Sequence, residues 1–133
     1  MLTRYFIYGL LGWCLEIFWT GLGSLWSGNI NLRGRTSLWM LPIYGLGILL
    51  EPIYEYFREQ NLILRGIMYT LTIFAVEYFT GSFLHSLGIY AWDYRGATLA
   101  VNGVIRLDYA PVWFVVGLIF EKVYLFLKKI RLS

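Results

Sequence analysis

The chain has 133 residues, 59% of them hydrophobic and only 14% charged, against about 25% charged in an ordinary soluble domain. Too little polar surface remains to cover a water-soluble globule of this size, so lipid is the expected solvent. The net charge of +3 then reads as the positive-inside excess of a membrane protein, not as a nucleic-acid footprint, and Cys14, the single cysteine, excludes an intramolecular disulfide or a cysteine metal site.

A spanning helix needs ~20 mostly apolar residues, and four stretches qualify in chain order. The first runs from Tyr5 to about Trp26 and reads as a retained helix rather than a cleaved leader. Its Gly9, Gly12, Gly21 and Gly23 are expected to allow close helix contact. The connection Ser27 to Ser37 is rich in Gly and Asn and carries Arg33 and Arg35. The second stretch, about Leu38 to Phe57, contains Gly45 and Gly47, with Pro42 and Pro52 expected to kink it. A short connection, Arg58 to about Ile63, leads to the third stretch, about Leu64 to Leu87, whose lone His85 reads as a satisfied interfacial side chain. The long connection Gly88 to Ala110 holds Trp92, Asp93, Tyr94, Arg95, Asn102, Arg106 and Asp108; a loop of that length in a small protein is often functional and is expected to cap the bundle or lie along the interface. The fourth stretch runs from about Pro111 to Leu127. The fold class is all-α: a single transmembrane domain over 1–133, a bundle of about four helices.

With four spans the termini share a side with the second connection. That side holds Arg4, Arg58, Arg65, Lys122, Lys128, Lys129 and Arg131, and the other holds Arg33, Arg35, Arg95 and Arg106. Both termini are therefore expected in the cytoplasm. The halves also resemble each other. Glu16, Thr20-Gly21, Asn31, Gly34, Pro42 and Glu51 parallel Glu77, Thr80-Gly81, Asn102, Gly103, Pro111 and Glu121. A duplicated helix hairpin, inserted twice in the same direction, is one reading; chance similarity between apolar hairpins is the other.

The chemistry lies in acids placed within the spans. Glu16, Glu51, Glu77 and Glu121 fall on four different predicted helices. A central acidic charge costs roughly 2.5–3.5 kcal/mol on insertion scales, so four unpaired ones would cost on the order of 10 kcal/mol. They must turn inward and be neutralised by a proton, by an arginine from a loop, with Arg33 and Arg35 as candidates, or by a bound cation. Each has a hydroxyl near it on its own helix: Thr20, Tyr54, Thr80 and Tyr124, at i+3 or i+4. Such a network also serves simply to fix helix register. No P-loop, H-E-x-x-H, G-x-S-x-G or Cys/His pair is present, so no ATP site, hydrolase or metalloprotease is argued, and no cofactor or metal is named.

The strings Arg33-Gly34, Thr36-Ser37-Leu38-Trp39, Pro42-Ile43-Tyr44-Gly45, Glu77-Tyr78-Phe79-Thr80-Gly81, Trp92-Asp93-Tyr94, Asn102-Gly103-Val104-Ile105 and Pro111-Val112-Trp113, in that order, resemble the ABC-transporter type IV (CmpB-like) family and the related transmembrane protein 229 family. The resemblance covers about Tyr8 to Glu121. It implies a small multi-pass helical membrane protein under a transporter label, with no established substrate. The family often has Gly-Pro in the first loop where this chain has Gly34-Arg35. An ABC permease also needs a separate ATPase, and a chain this short would have to assemble.

The expectation is a permease-like or ion- or proton-linked integral membrane protein of a bacterial cell membrane, in preference to an enzyme. Its partners are membrane lipid and either further copies of itself or a partner subunit, with no nucleic acid. Glu16, Glu51, Glu77, Glu121, Arg35, Tyr44, Asp93, Tyr94 and Asn102 are the candidate substrate- or ion-binding residues. A membrane-embedded enzyme or lipid-headgroup binder, and an accessory or scaffold subunit, are the alternatives.

Overall fold

The computed structural model describes residues 2–130; Arg131, counted above for sidedness, lies outside them. The fold is all-α. Helix α1 covers Leu2–Trp26, α2 Met40–Gly45, α3 Leu50–Phe57, α4 Leu62–Ser86 and α5 Ala110–Lys129, and a two-stranded ribbon of β1 (Ala100–Val101) and β2 (Ile105–Arg106) precedes α5. Three helical stretches, Leu2–Trp26, Leu62–Ser86 and Leu107–Lys129, are long and apolar enough to cross a membrane. The second predicted span is helical from Met40 to Phe57 but broken: a 3-10 turn at Leu46–Leu49 separates α2 from α3. Pro52 stands third in α3, as Pro42 does in α2, but helical chain precedes it, so its missing N–H leaves a carbonyl of the 3-10 turn without the bond a continuous helix would return. Pro42 produces no kink. It sits in the first turn of α2, where helix N–H groups have no partner to lose.

The residues form two compact units, one ending at Ile48 and the other beginning at Leu49. In the first, α2 packs along α1. A methyl at Gly9 would lie 2.7 Å from the Leu41 carbonyl oxygen, one at Gly45 would lie 2.6 Å from Tyr5, and one at Gly12 would strike the Tyr44 ring. These three glycines are therefore contact points, whereas Gly23 faces open space. Tyr5 closes the pair by donating to the Pro42 carbonyl at 2.7 Å.

In the second unit α4 packs on α5, and α3 packs on both. Gly66 receives the Phe114 ring, and a methyl at Gly117 would lie 2.5 Å from Tyr69 Cβ. Asn61 starts α4 by accepting the Leu64 N–H at 2.8 Å, an ordinary N-cap.

Helices α1 and α4 end in the same way. Gly28 (φ +94°) and Gly88 (φ +77°) occupy left-handed positions. The N–H groups beyond each helix turn back, Gly28 to Leu25, Asn29 to Ser24, Gly88 to His85 and Ile89 to Leu84, at 2.9–3.0 Å. This is the Schellman arrangement, in which a glycine beyond the last turn lets the orphan carbonyls be satisfied.

Apolar side chains crowd the outside. Leu2, Phe6, Leu10, Phe18 and Leu25 on α1, Phe79 and Phe83 on α4, and Val115 and Phe126 on α5 are all exposed, as lipid-facing surfaces must be.

Candidate carboxylate sites

Glu16 lies on α1, half-buried. Its Oε2 accepts from the Thr36 hydroxyl at 2.9 Å, and Tyr44 is a second hydrogen-bonding side chain. Both donors come from outside α1. The same-helix hydroxyl, Thr20, turns to backbone instead, donating to the Glu16 carbonyl at 2.9 Å.

Thr20 also accepts the Arg35 N–H at 2.8 Å, and Ser24 donates to the Arg33 carbonyl at 2.8 Å. Glu16, Thr20 and Ser24 recur every four residues, one stripe along one helix face. The stripe receives the returning loop: Thr36 on Glu16, Arg35 backbone on Thr20 and Arg33 backbone on Ser24. Gly34 is pressed against the Ile17 carbonyl, and a methyl at Gly21 would lie 3.0 Å from the Leu32 carbonyl oxygen. Arg35 thus joins this site through its main chain, with its side chain exposed.

Glu77, on α4, is 8% exposed. The Tyr94 hydroxyl donates to its Oε2 at 3.3 Å. Oε1 is buried with no hydrogen-bond partner, and so is the indole N–H of Trp113, which approaches the same carboxyl from α5. Thr80 again bonds backbone, donating to the Val76 carbonyl at 2.6 Å.

The long connection reaches Glu77 because it folds back on α4. Asn102 (φ +54°) and Gly103 (φ +71°) form the turn between β1 and β2, as an Asn-Gly pair is suited to do. Val104 is then buried at 1% exposure, where a methyl at Gly81 would lie 2.9 Å from its side chain. Trp92 donates to the Val104 carbonyl at 2.9 Å. His85 Nε2 lies 2.8 Å from the Trp92 carbonyl oxygen, so this histidine is satisfied.

Asn102 donates to the Tyr78 hydroxyl at 3.2 Å, not to a carboxylate. Asp93 pairs with Arg95 at 2.7 Å, and that guanidinium holds the Asp93 carboxyl below the usual carboxylate range.

Glu121, on α5, is 3% exposed and fully engaged. Arg65 donates through Nε to Oε1 at 2.7 Å and through Nη2 to Oε2 at 3.3 Å, and Tyr69 donates to Oε1 at 2.6 Å. The remaining Arg65 fork, Nη1, reaches the Gln60 carbonyl at 2.7 Å. The expected loop arginine is thus replaced by one in the first turn of α4. Arg65 and Tyr69 stand i,i+4 on one helix face, a spacing that marks them as partners. Glu51 is buried on α3. Nearby, Tyr54 meets Tyr124 edge-on at 5.9 Å, and Glu55 pairs with Lys128 at 3.2 Å.

The candidates therefore gather in groups: Glu16 with Tyr44, Glu77 with Tyr94, and Glu121 by itself among residues that the candidate set omits. Thr36, Arg65 and Tyr69 are the omitted hydrogen-bonding partners, and Trp113 is the omitted neighbour of Glu77. Among the described residues no three His, Cys, Asp or Glu side chains come together as metal ligands.

Helices of spanning length with apolar exteriors, enclosing carboxylates that are hydrogen-bonded by returning loops, define a small polytopic integral membrane protein. A family model described as "Putative ABC-transporter type IV" matches residues 3–131, and the chain belongs to that family. No solved structure matches it.

Proposed function

We propose that the protein is permease-like and links the movement of its cargo to a proton or small cation exchanged at Glu77. The observation that supports this is the unpartnered Oε1 of a carboxylate in the apolar interior. A buried ionised carboxylate with an unsatisfied oxygen costs several kcal/mol, so a proton or cation must accompany the charge. A group that must carry a companion is suited to exchanging it, which is why ionisable side chains within membranes mark ion and proton pathways. Glu121 has no such vacancy, because Arg65 and Tyr69 occupy both its oxygens. Glu16 has neutral donors only, Thr36 and Tyr44, and fits a supporting role. In this reading both termini are cytoplasmic in a bacterial cell membrane, and the short chain works as a homo-oligomer or beside a partner subunit.

The test uses purified protein in proteoliposomes with a trapped pH-sensitive dye, together with carbodiimide labelling and peptide mapping. Wild type should take up protons and be labelled at Glu77, and Glu77→Gln should lose both. An unlabelled Glu77, with equal proton entry in wild type, Glu77→Gln and empty vesicles, refutes the reading.

A further inference from the structure

We propose that the loop after α1 is a docking surface for the phosphate headgroups of anionic phospholipid, gripped by Arg33 and Arg35. Between Leu32 and Ser37 the chain runs back along α1 with no helix or strand. The Arg33 carbonyl is held by Ser24 and the Arg35 N–H by Thr20. Gly34 and Thr36 face α1, one against Ile17 and the other on Glu16. Arg33 and Arg35 alternate with these inward residues, and both are exposed. Two guanidinium groups are therefore presented outward from a backbone that is already fixed.

Charge distinguishes this pair from the other loop arginines. Arg95 and Arg106 are each neutralised by an aspartate two residues away, Asp93 at 2.7 Å and Asp108 at 2.9 Å. Arg33 and Arg35 have no carboxylate partner among the described residues. Guanidinium forks match phosphate oxygens in geometry as well as charge.

Depth points to lipid as the source of that phosphate. Helix α1 has 25 residues, about 37 Å at 1.5 Å per residue, so it overruns a hydrocarbon core of about 30 Å. Ser24 and Thr20 lie in its last two turns, and Arg33 and Arg35 are tied to them. Trp26, at the helix end, is 94% exposed, Ile30 83% and Leu38 80%. Apolar side chains flanking a cationic pair at the end of a spanning helix fit the boundary between acyl chain and headgroup. An acidic protein surface would match the charges but would not call for the apolar flanks.

The experiment measures lipid retention by the full chain in micelles, using native mass spectrometry with equal phosphatidylglycerol and phosphatidylcholine. A basic side chain near an anionic surface is worth about fivefold in binding, so two are worth roughly 20–30-fold. Wild type should prefer phosphatidylglycerol, and the double variant Arg33→Gln/Arg35→Gln should lose the preference by about that factor. Arg33→Lys/Arg35→Lys should keep most of it, and Arg95→Gln should keep all of it. Three results each overturn the proposal: no preference in wild type, an equal loss in Arg95→Gln, or displacement of the lipid by inorganic phosphate at millimolar concentration.

Discussion

Replacing Glu121 by glutamine removes the counter-charge that Arg65 has among the described residues. Removing one partner of a buried ion pair costs about 3–5 kcal/mol, because the other charge is stranded. Here the stranded group is the less buried one: the Arg65 side chain is 16% exposed against 1% for Glu121, and Nη1 keeps the Gln60 carbonyl. Water can partly recover it, so Glu121→Gln should cost about 2–3 kcal/mol, below the full penalty. Tyr69→Phe removes only a donor to an oxygen that Arg65 still serves, and should cost about 1–2 kcal/mol. The triple variant Arg65→Met/Tyr69→Phe/Glu121→Leu leaves no orphan group and should return to within ~1 kcal/mol of wild type, since apolar replacements of whole buried networks are often neutral. Denaturant titration in mild detergent, followed by far-ultraviolet circular dichroism, measures all three. A Glu121→Gln variant within ~0.5 kcal/mol of wild type, or a triple variant as destabilised as the worst single one, refutes a stabilising Arg65–Tyr69–Glu121 network.

Gly12→Ala and Gly66→Ala drive a methyl into the Tyr44 and Phe114 rings and should each cost about 1–3 kcal/mol. Gly23→Ala meets nothing within 4 Å and should gain up to ~1 kcal/mol from helix propensity; the same titration separates them. The depressed Asp93 carboxyl makes the Asp93–Arg95 contact pH-dependent. Its contribution is present above the unfolded aspartate value of about 3.9 and is lost as pH falls through the lower folded value. Protection of the Arg95 amide, whose N–H donates to Asp93 Oδ1 at 3.0 Å, relative to the intrinsic exchange rate at each pH should therefore fall only in strong acid, and Asp93→Asn should make that protection independent of pH. Single cysteines at Thr3 and Lys129, in a Cys14→Ser background, should react with an impermeant maleimide from the same side of the membrane. Labelling from opposite sides means that the broken segment Met40–Phe57 does not cross.

Hydropathy and the placing of the acids were enough to read the helices and to require that the carboxylates be neutralised. They were not enough to identify the neutralising groups. Arg65 reads in sequence as a charge that orients the chain, and its i,i+4 spacing to Tyr69 marks a face shared with whatever Glu121 presents. Same-helix hydroxyls are the partners that sequence spacing suggests. In a helix, however, Thr20 and Thr80 can return to the carbonyl four residues back, and that local bond wins. Tyr94 and Thr36 reach Glu77 and Glu16 across 17 and 20 residues of chain, and spacing along one sequence does not encode such pairs. The break at Leu46–Leu49 was foreshadowed by Pro52; Pro42 was misleading because its effect depends on where the helix begins.

The two units solve one problem with matching parts. A loop that turns back beside a long apolar helix carries unpaired backbone groups with it, and lipid tolerates such backbone only where protein covers it. In the first unit the cover is the stripe Glu16–Thr20–Ser24, with Gly21 clearing space for the loop. In the second, the Asn102-Gly103 turn pairs much of the loop with itself, Gly81 clears space for Val104, and Tyr94 reaches the acid. Both helices then end on a left-handed glycine, Gly28 or Gly88. The difference lies in what the acid has left over. Glu16 takes Thr36 and Tyr44, while Glu77 takes Tyr94 and keeps one buried oxygen unserved. If the carboxylates served only to seat the loops, Glu77→Gln and Glu16→Gln would both leave proton uptake unchanged. An exchangeable proton or cation requires them to differ, with proton uptake lost at Glu77 and only stability lost at Glu16.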